Sequence, residues 1–171
     1  MAPASPRDLS VQREPSQLPA EVTGFIGRKA ELARVVALLD GSRLVTVVGP
    51  GGVGKTRLAL RAARQAADSY PDGACLVELS GLQDPALLPD IVADGLGLPG
   101  QGGHAPAEAV FAYLRDRRLL LVLDTCEHLI DACAAFTERV LREAPGVTTL
   151  ATSRQPLDVG GECSYMVAPL P

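Results

Sequence analysis

Short runs of aliphatic residues alternate along this chain with longer stretches whose apolar residues recur every three or four positions, a pattern that predicts strands interleaved with helices. In "GFIGRKAELARVVALLD", Leu32, Val35, Val36 and Leu39 line one helical face, and Gly41 stops the helix. "RLVTVV" follows as a β-branched strand. After a glycine-rich turn, "KTRLALRAARQAADSY" carries Leu58, Ala59, Ala62 and Ala66 at the spacing of a helix packed closely on a sheet. "ACLVEL" is the next strand. Asp84 then caps a helix whose first position is Pro85 and which runs to about Leu96. The turn "GLPGQGGH" separates it from a helix around 106–116. "RLLLVLD" reads as a buried strand, Glu127 to Glu143 as a helix, "GVTTLAT" as a strand and "YMVAPL" as the last one. The expected fold is α/β: a three-layer sandwich with a parallel five-stranded sheet, right-handed crossovers and helices on both faces.

Composition narrows the picture without changing it. A chain of 171 residues with 47% hydrophobic content suits one domain with a substantial core, and two full domains would not fit comfortably. Residues 1–18 are rich in Pro, Ser and charge and read as a disordered leader, which leaves 19–171 as the folded domain. With 4% aromatic residues and no Trp, the core must be built from Leu, Val, Ala and Ile, which fits parallel strands covered by helices. A net charge of −4 gives no broad electrostatic footprint for nucleic acid or an anionic membrane, so direct nucleic-acid binding by this segment is not expected. Cys75, Cys126, Cys133 and Cys163 form no Cys-x-x-Cys pair and no zinc-ligand spacing; they read as reduced thiols. There is no signal-peptide apolar region and no run long enough to span a membrane, so the expected location is the cytoplasm.

The chemistry sits in two places. Gly49-Pro50-Gly51-Gly52-Val53-Gly54-Lys55-Thr56 matches the G-x-x-x-x-G-K-[ST] phosphate loop of P-loop NTPases, with a strand before it and a helix after it. Gly51, Gly52 and Gly54 let backbone N–H groups converge on phosphate oxygens, and the following helix adds its positive end. Lys55, one of only two lysines, supplies a flexible point charge for the β- and γ-phosphates. The Thr56 hydroxyl can ligate Mg2+, and Arg57 completes the set of positions expected to contact nucleotide. Such a loop calls for a carboxylate on the magnesium side at the end of a buried strand. Asp124 is the first polar residue after the aliphatic run "LLLVL" and is the candidate Walker B aspartate; capping the next helix is its alternative role.

Around Asp124 the stretch "DTCEHL" crowds several reactive side chains together. Glu127 either polarises an attacking water or simply places an acid in the first turn of a helix. Cys126 has no sign of an oxyanion hole and no orienting group beyond His128, so it reads as packing, and His128 reads as a helix-surface residue. Arg154 follows the strand "VTTLAT" and would point to the same crevice as the phosphates, where it could sense a γ-phosphate.

Taken together, "FIGRKAEL", "LVTVVGPGGVGKTRLAL", "LLLVLDTCEHL" and "LATSRQPL" resemble the nucleotide-binding domain of the STAND class of signal-transduction P-loop ATPases, and among these the NB-ARC-like domains of bacterial transcriptional regulators of the LuxR and SARP types. The likeness spans about residues 19–171. It implies that Phe25, Ile26, Gly27 and Arg28 lie against adenine, that Arg154 contacts the terminal phosphate, and that ATP/ADP exchange with Mg2+ and slow hydrolysis serves as a conformational switch in transcription regulation. Many such domains carry a second acid directly after the Walker B aspartate, where this chain has Thr125, which argues against efficient hydrolysis. The helical lid, winged helix, sensor and DNA-binding parts of such regulators are expected to be missing here, so the expected partners are the nucleotide and, beyond it, another copy or those missing domains.

Other readings fit less well. Leu79-Ser80-Gly81-Leu82-Gln83 resembles the signature loop of transport ATPases, but it stands some forty residues before Asp124, where a turn after the second strand accounts for it. A GTPase would need an Asn-Lys-x-Asp motif. A small-molecule P-loop kinase is the strongest alternative from another functional class; it would need an Arg-rich lid, and 155–171 holds no Arg. A truncated, non-hydrolysing nucleotide-binding module is the other alternative.

Overall fold

The computed structural model describes residues 18–20, 27–99 and 106–170. The leader expected over 1–18 lies almost wholly outside them, as do Phe25, Ile26 and most of the turn "GLPGQGGH". Among the described residues the α-helices and strands follow in the order α1 (Lys29–Gly41), β1 (Leu44–Val48), α2 (Lys55–Ala66), β2 (Ala74–Glu78), α3 (Leu88–Gly95), α4 (Pro106–Leu114), β3 (Leu120–Asp124), α5 (Ile130–Glu143), β4 (Thr148–Ser153) and β5 (Glu162–Met166). All strand pairs are parallel and the sheet order is β2-β3-β4-β1-β5. This is the α/β, P-loop NTPase-like sheet that the alternation of patterns predicts.

Strand periodicity divides the apolar residues between two cores. Along β3, Leu121 and Leu123 pack with α3, α4 and α5, while Leu120 and Val122 point to the opposite face with α1 and α2. Both faces are covered, so β1, β3 and β4 are buried along their full length. The tight approach of α2 rests on Ala59, Ala62 and Ala63, each essentially without solvent exposure.

Three boundaries depart from the pattern. The helix expected from Asp84 opens as a 3-10 turn, Pro85–Leu87, with the Asp84 carboxylate accepting from the Ala86 amide at 3.0 Å, and only then becomes α3. Pro89, in the first turn of α3, supplies no N–H for continuing one helix through. Glu127–Leu129 likewise form a 3-10 turn, and Leu129 (φ −134°, ψ 34°) breaks it from α5. The last strand is Glu162–Met166 rather than "YMVAPL" because it pairs residue by residue with β1, from Leu44 opposite Glu162 to Val48 opposite Met166. Beyond Val48 the partner turns into the glycine loop. The pairing then ends with the Val167 amide donating to the Val48 carbonyl at 2.7 Å.

Candidate phosphate-binding site

The register brings the carboxyl ends of β1, β3 and β4 to one edge. Val48 lies opposite Ser153, and Leu123 opposite Ala151. Three segments therefore meet at the crevice where ligands bind in such sheets: the glycine loop after β1, Thr125 to Glu127 after β3, and Arg154 after β4. A cavity of about 400 Å³ lies there, lined by loop glycines, Lys55, Thr56, Arg57, Thr125, Glu127, Thr152 and Arg154.

The loop holds its shape through backbone conformations that suit glycine. Gly52 (φ +76°) and Gly54 (φ +95°) are left-handed, and Gly54 is the residue before α2 begins at Lys55. The Lys55 side chain turns back across the loop and donates from Nζ to the carbonyls of Gly49 and Pro50, each at 2.9 Å. Gly49 anchors the loop to β4 through its amide, which donates to the Ser153 carbonyl at 3.2 Å.

Thr56 Oγ1 donates to Asp124 Oδ1 at 2.7 Å across 68 positions of sequence. The two oxygens proposed for the magnesium side are thus already adjacent. Asp124 caps no helix. The next turn has Cys126 at its cap position and no side-chain cap bond, while the carboxylate faces the phosphate loop. Oδ1 accepts a second hydroxyl, from Thr152 at 2.6 Å, and Oδ2 accepts one from Thr125 at 3.3 Å. A hydroxyl and a carboxylate at the mouth of an anion-binding loop form the hard oxygen donor set that suits Mg2+, so the residues present fit that ion.

Glu127 and Arg154 close the far side. Arg154 Nε stands 3.8 Å from Glu127 Oε1, and Glu127 Oε2 is buried without a hydrogen-bond partner among the described residues. The Arg154 guanidinium also reaches the loop: a Cβ placed on Gly51 would lie 2.9 Å from Arg154 Nη2. His128 is exposed and its Nε2 lies 2.8 Å from the Leu82 carbonyl, which ties this turn to the loop after β2. Cys126 is fully buried. Its contact with Cys133, then burial, then the nearby Glu127 and Asp124 push its thiol well above the usual range, which suits packing and not nucleophilic attack.

A second cavity of about 320 Å³ adjoins the first, lined by Arg28, Pro50, Gly51, Gly52, Val53, Pro169 and Leu170. Arg28 is buried and donates to the carbonyls of Val53 at 2.8 Å and Ala168 at 3.2 Å, besides pairing with Glu31. Gly27, left-handed at φ +84°, sits beside Leu170. Ile26, expected at this site, lies outside the described residues. The sequence reading missed Thr152, Pro169 and Leu170. For Thr152 a signal existed: a hydroxyl at the end of a buried strand needs a hydrogen-bond partner close by.

The sequence matches no protein-family model. An uncharacterized protein of Mycobacterium tuberculosis is 41% identical over 165 residues, which cover 96% of this chain and 41% of that protein. A putative HTH-type transcriptional regulator of the same species is 44% identical over 131 residues, 77% of this chain and 15% of the regulator. Regulatory protein AfsR of Streptomyces griseus is 37% identical over 155 residues, 82% of this chain and 15% of AfsR. The chain thus spans about two fifths of the first of these relatives and a much smaller part of the regulators. Among solved structures, the signal transduction ATPase with numerous domains (STAND) protein with a tetratricopeptide repeat sensor from Pyrococcus horikoshii shares the fold with a TM-score of 0.59 at 18% identity, covering 89% of this chain and 24% of that one. The Aeropyrum pernix ORC2 protein, solved as ADPNP-ADP complexes, gives a TM-score of 0.61 at 14% identity over 94% of this chain and 52% of its own.

Proposed function

Because the chain is a STAND-type P-loop ATPase domain related to those of AfsR-type and HTH-type transcriptional regulators, we propose that it binds ATP and ADP with Mg2+ and serves as the nucleotide switch of such a regulator, hydrolysing slowly at most. The observation that carries this reading is the Thr56–Asp124 hydrogen bond of 2.7 Å beside Lys55, at the mouth of the glycine loop. Residues 19–171 would form the nucleotide-binding unit, with sensing and output lying elsewhere.

Each residue has a task in this reading. Lys55 commits two of its three protons to Gly49 and Pro50 among the described residues, which leaves the third for a phosphate oxygen. The left-handed glycines would let loop amides turn toward a phosphate, and the first turn of α2 would add its positive end. Thr56 and Asp124 would hold the metal. A bound Mg2+ supplies charge neutralisation at the β- and γ-phosphates. Arg154, near Gly51, would meet a γ-phosphate and so tell ATP from ADP. The adjoining cavity, closed by Arg28, Val53, Pro169 and Leu170, is where the base would lie. The adenine-nucleotide complexes of the A. pernix ORC2 protein, which shares the fold, support the choice of ligand. Slow turnover is supported by Thr125, which offers no second carboxylate, and by Glu127, whose Oε1 faces Arg154.

The test is to purify the chain, release any bound nucleotide by denaturation, identify it, and measure turnover for the wild type and Lys55→Ala. Bound ADP or ATP with negligible turnover, and loss of both on Lys55→Ala, is the expected result. Fast phosphoryl transfer to an added acceptor, or no binding of Mg-nucleotide at all, would overturn the proposal.

A further inference from the structure

In the sheet order, β4 lies between β1, which carries the phosphate loop, and β3, which carries Asp124. The two halves of the metal side therefore cannot be set against each other by direct strand pairing. One residue of the intervening strand bridges them. Thr152 is 1% exposed, and its hydroxyl makes two bonds at once: it donates to Asp124 Oδ1 at 2.6 Å and accepts from the Thr125 amide at 2.8 Å. Its carbonyl accepts from the Cys126 amide at 2.9 Å. Thr125 in turn holds φ +68°, a left-handed conformation that a β-branched residue adopts only where its surroundings enforce it. The turn that carries Glu127 into the cavity starts from this strained residue.

We propose that Thr152 is a positioning residue for metal-nucleotide binding: its single hydroxyl aims the Asp124 carboxylate at Thr56 and holds Thr125 in the left-handed turn from which Glu127 enters the cavity. The proposal rests on the nucleotide-binding reading above. The hydroxyl geometry makes the assignment specific. A hydroxyl has one proton and two lone pairs, so with the Thr125 amide bonded to its oxygen, its proton remains for Asp124. Valine has the same shape and can make neither bond. Serine can make both.

ADP affinity measured by calorimetry with Mg2+ and with EDTA, for the wild type, Thr152→Val and Thr152→Ser, tests this. The quantity read is the ratio of the two affinities. Thr152→Val is expected to lower that ratio about tenfold or more while ADP affinity in EDTA changes less than about threefold, and Thr152→Ser is expected to keep the wild-type ratio within about twofold. The proposal fails if Val keeps the wild-type ratio, or if Ser loses as much as Val, since packing and not the hydroxyl would then be responsible. A second measurement needs no variant. In the wild type the Thr125 amide should exchange with deuterium slowly, as a bonded amide does, and exchange at an unprotected rate would also overturn the assignment. Absence of ADP binding by the wild type itself would be a different failure, that of the nucleotide-binding reading, with the exchange rate at Thr125 still deciding whether the hydroxyl holds the turn.

Discussion

Replacing Asp124 by Asn should separate what this residue does for the fold from what it does for a metal. The side chain is 8% exposed and three hydroxyls hold it, at 2.7 Å from Thr56, 2.6 Å from Thr152 and 3.3 Å from Thr125. An asparagine in the same rotamer keeps an acceptor oxygen toward Thr56 and Thr152 and turns its amide toward Thr125. The two short bonds change from charge-assisted, about 1.5–3 kcal/mol each, to neutral, about 0.5–1.5 kcal/mol each, a loss of about 2–3 kcal/mol. Against this, a carboxylate removed from water costs several kcal/mol, and the amide escapes that penalty. The two effects are of similar size and opposite sign. The nucleotide-free Asn variant should therefore melt within about 4 °C of the wild type, given about 2–4 °C per kcal/mol for a chain of this size. The gain in ADP affinity on adding Mg2+ should nevertheless fall at least about tenfold, because an amide offers the ion no charge; tenfold corresponds to about 1.4 kcal/mol. Scanning calorimetry without ligand and titration calorimetry with Mg2+ or EDTA read the two quantities. A drop in melting temperature of more than about 10 °C with undiminished Mg2+ dependence would make Asp124 a structural anchor and refute the argument.

Arg154→Gln should lower affinity for a non-hydrolysable ATP analogue about ten- to a hundredfold, as expected for one charge-assisted bond, while ADP affinity moves much less; equal losses for both would remove the γ-phosphate role. Arg43 donates to the carbonyls of Leu141 at 2.9 Å and Ala144 at 2.6 Å at the end of α5. Arg43→Met should therefore cost about 2–4 kcal/mol and lower the melting temperature by roughly 5–15 °C. ADP affinity at low temperature should be unchanged in that variant, since Arg43 precedes β1 at the edge of the sheet opposite the glycine loop. Burial pushes the Cys75 thiol up to about 11. A folded value raised above the unfolded one keeps its contribution below about pH 8.5 and loses it as pH rises toward 11, at up to about 1.4 kcal/mol per pH unit. Unfolding by denaturant at pH 8 and pH 10.5 should show that loss in the wild type and a smaller one in Cys75→Ala.

The fold was legible because its signals were local. An aliphatic run such as "LLLVLD" is a strand buried on both faces, and the phosphate loop names its own flanking strand and helix, so the number of strands and the interleaving of helices followed from the chain alone. Strand order did not, because nothing in the residues of β4 states that it lies between β1 and β3. That order bears directly on the site. Asp124 can be found by looking for the first polar residue after a buried run, yet its nearest strand neighbour on the glycine-loop side is β4 and not β1, so the residue that orients it, Thr152, is visible only once the order is known. The same holds for Glu127. In the sequence it is one more acid near a helix start; in three dimensions it belongs to a 3-10 turn that begins after a left-handed threonine, with one carboxylate oxygen toward Arg154 and the other buried without a partner among the described residues. An unsatisfied buried oxygen is costly unless something completes it, by about 1–3 kcal/mol. A water donating to that oxygen would supply the missing partner, while the negative charge of a bound phosphate would draw Arg154 away toward itself. On the nucleotide reading proposed above, whether Glu127 helps to split ATP turns on the geometry of one pair: with Arg154 Nε 3.8 Å from Oε1 the carboxylate faces a cation, and a γ-phosphate that recruited the arginine would free it to act as a base.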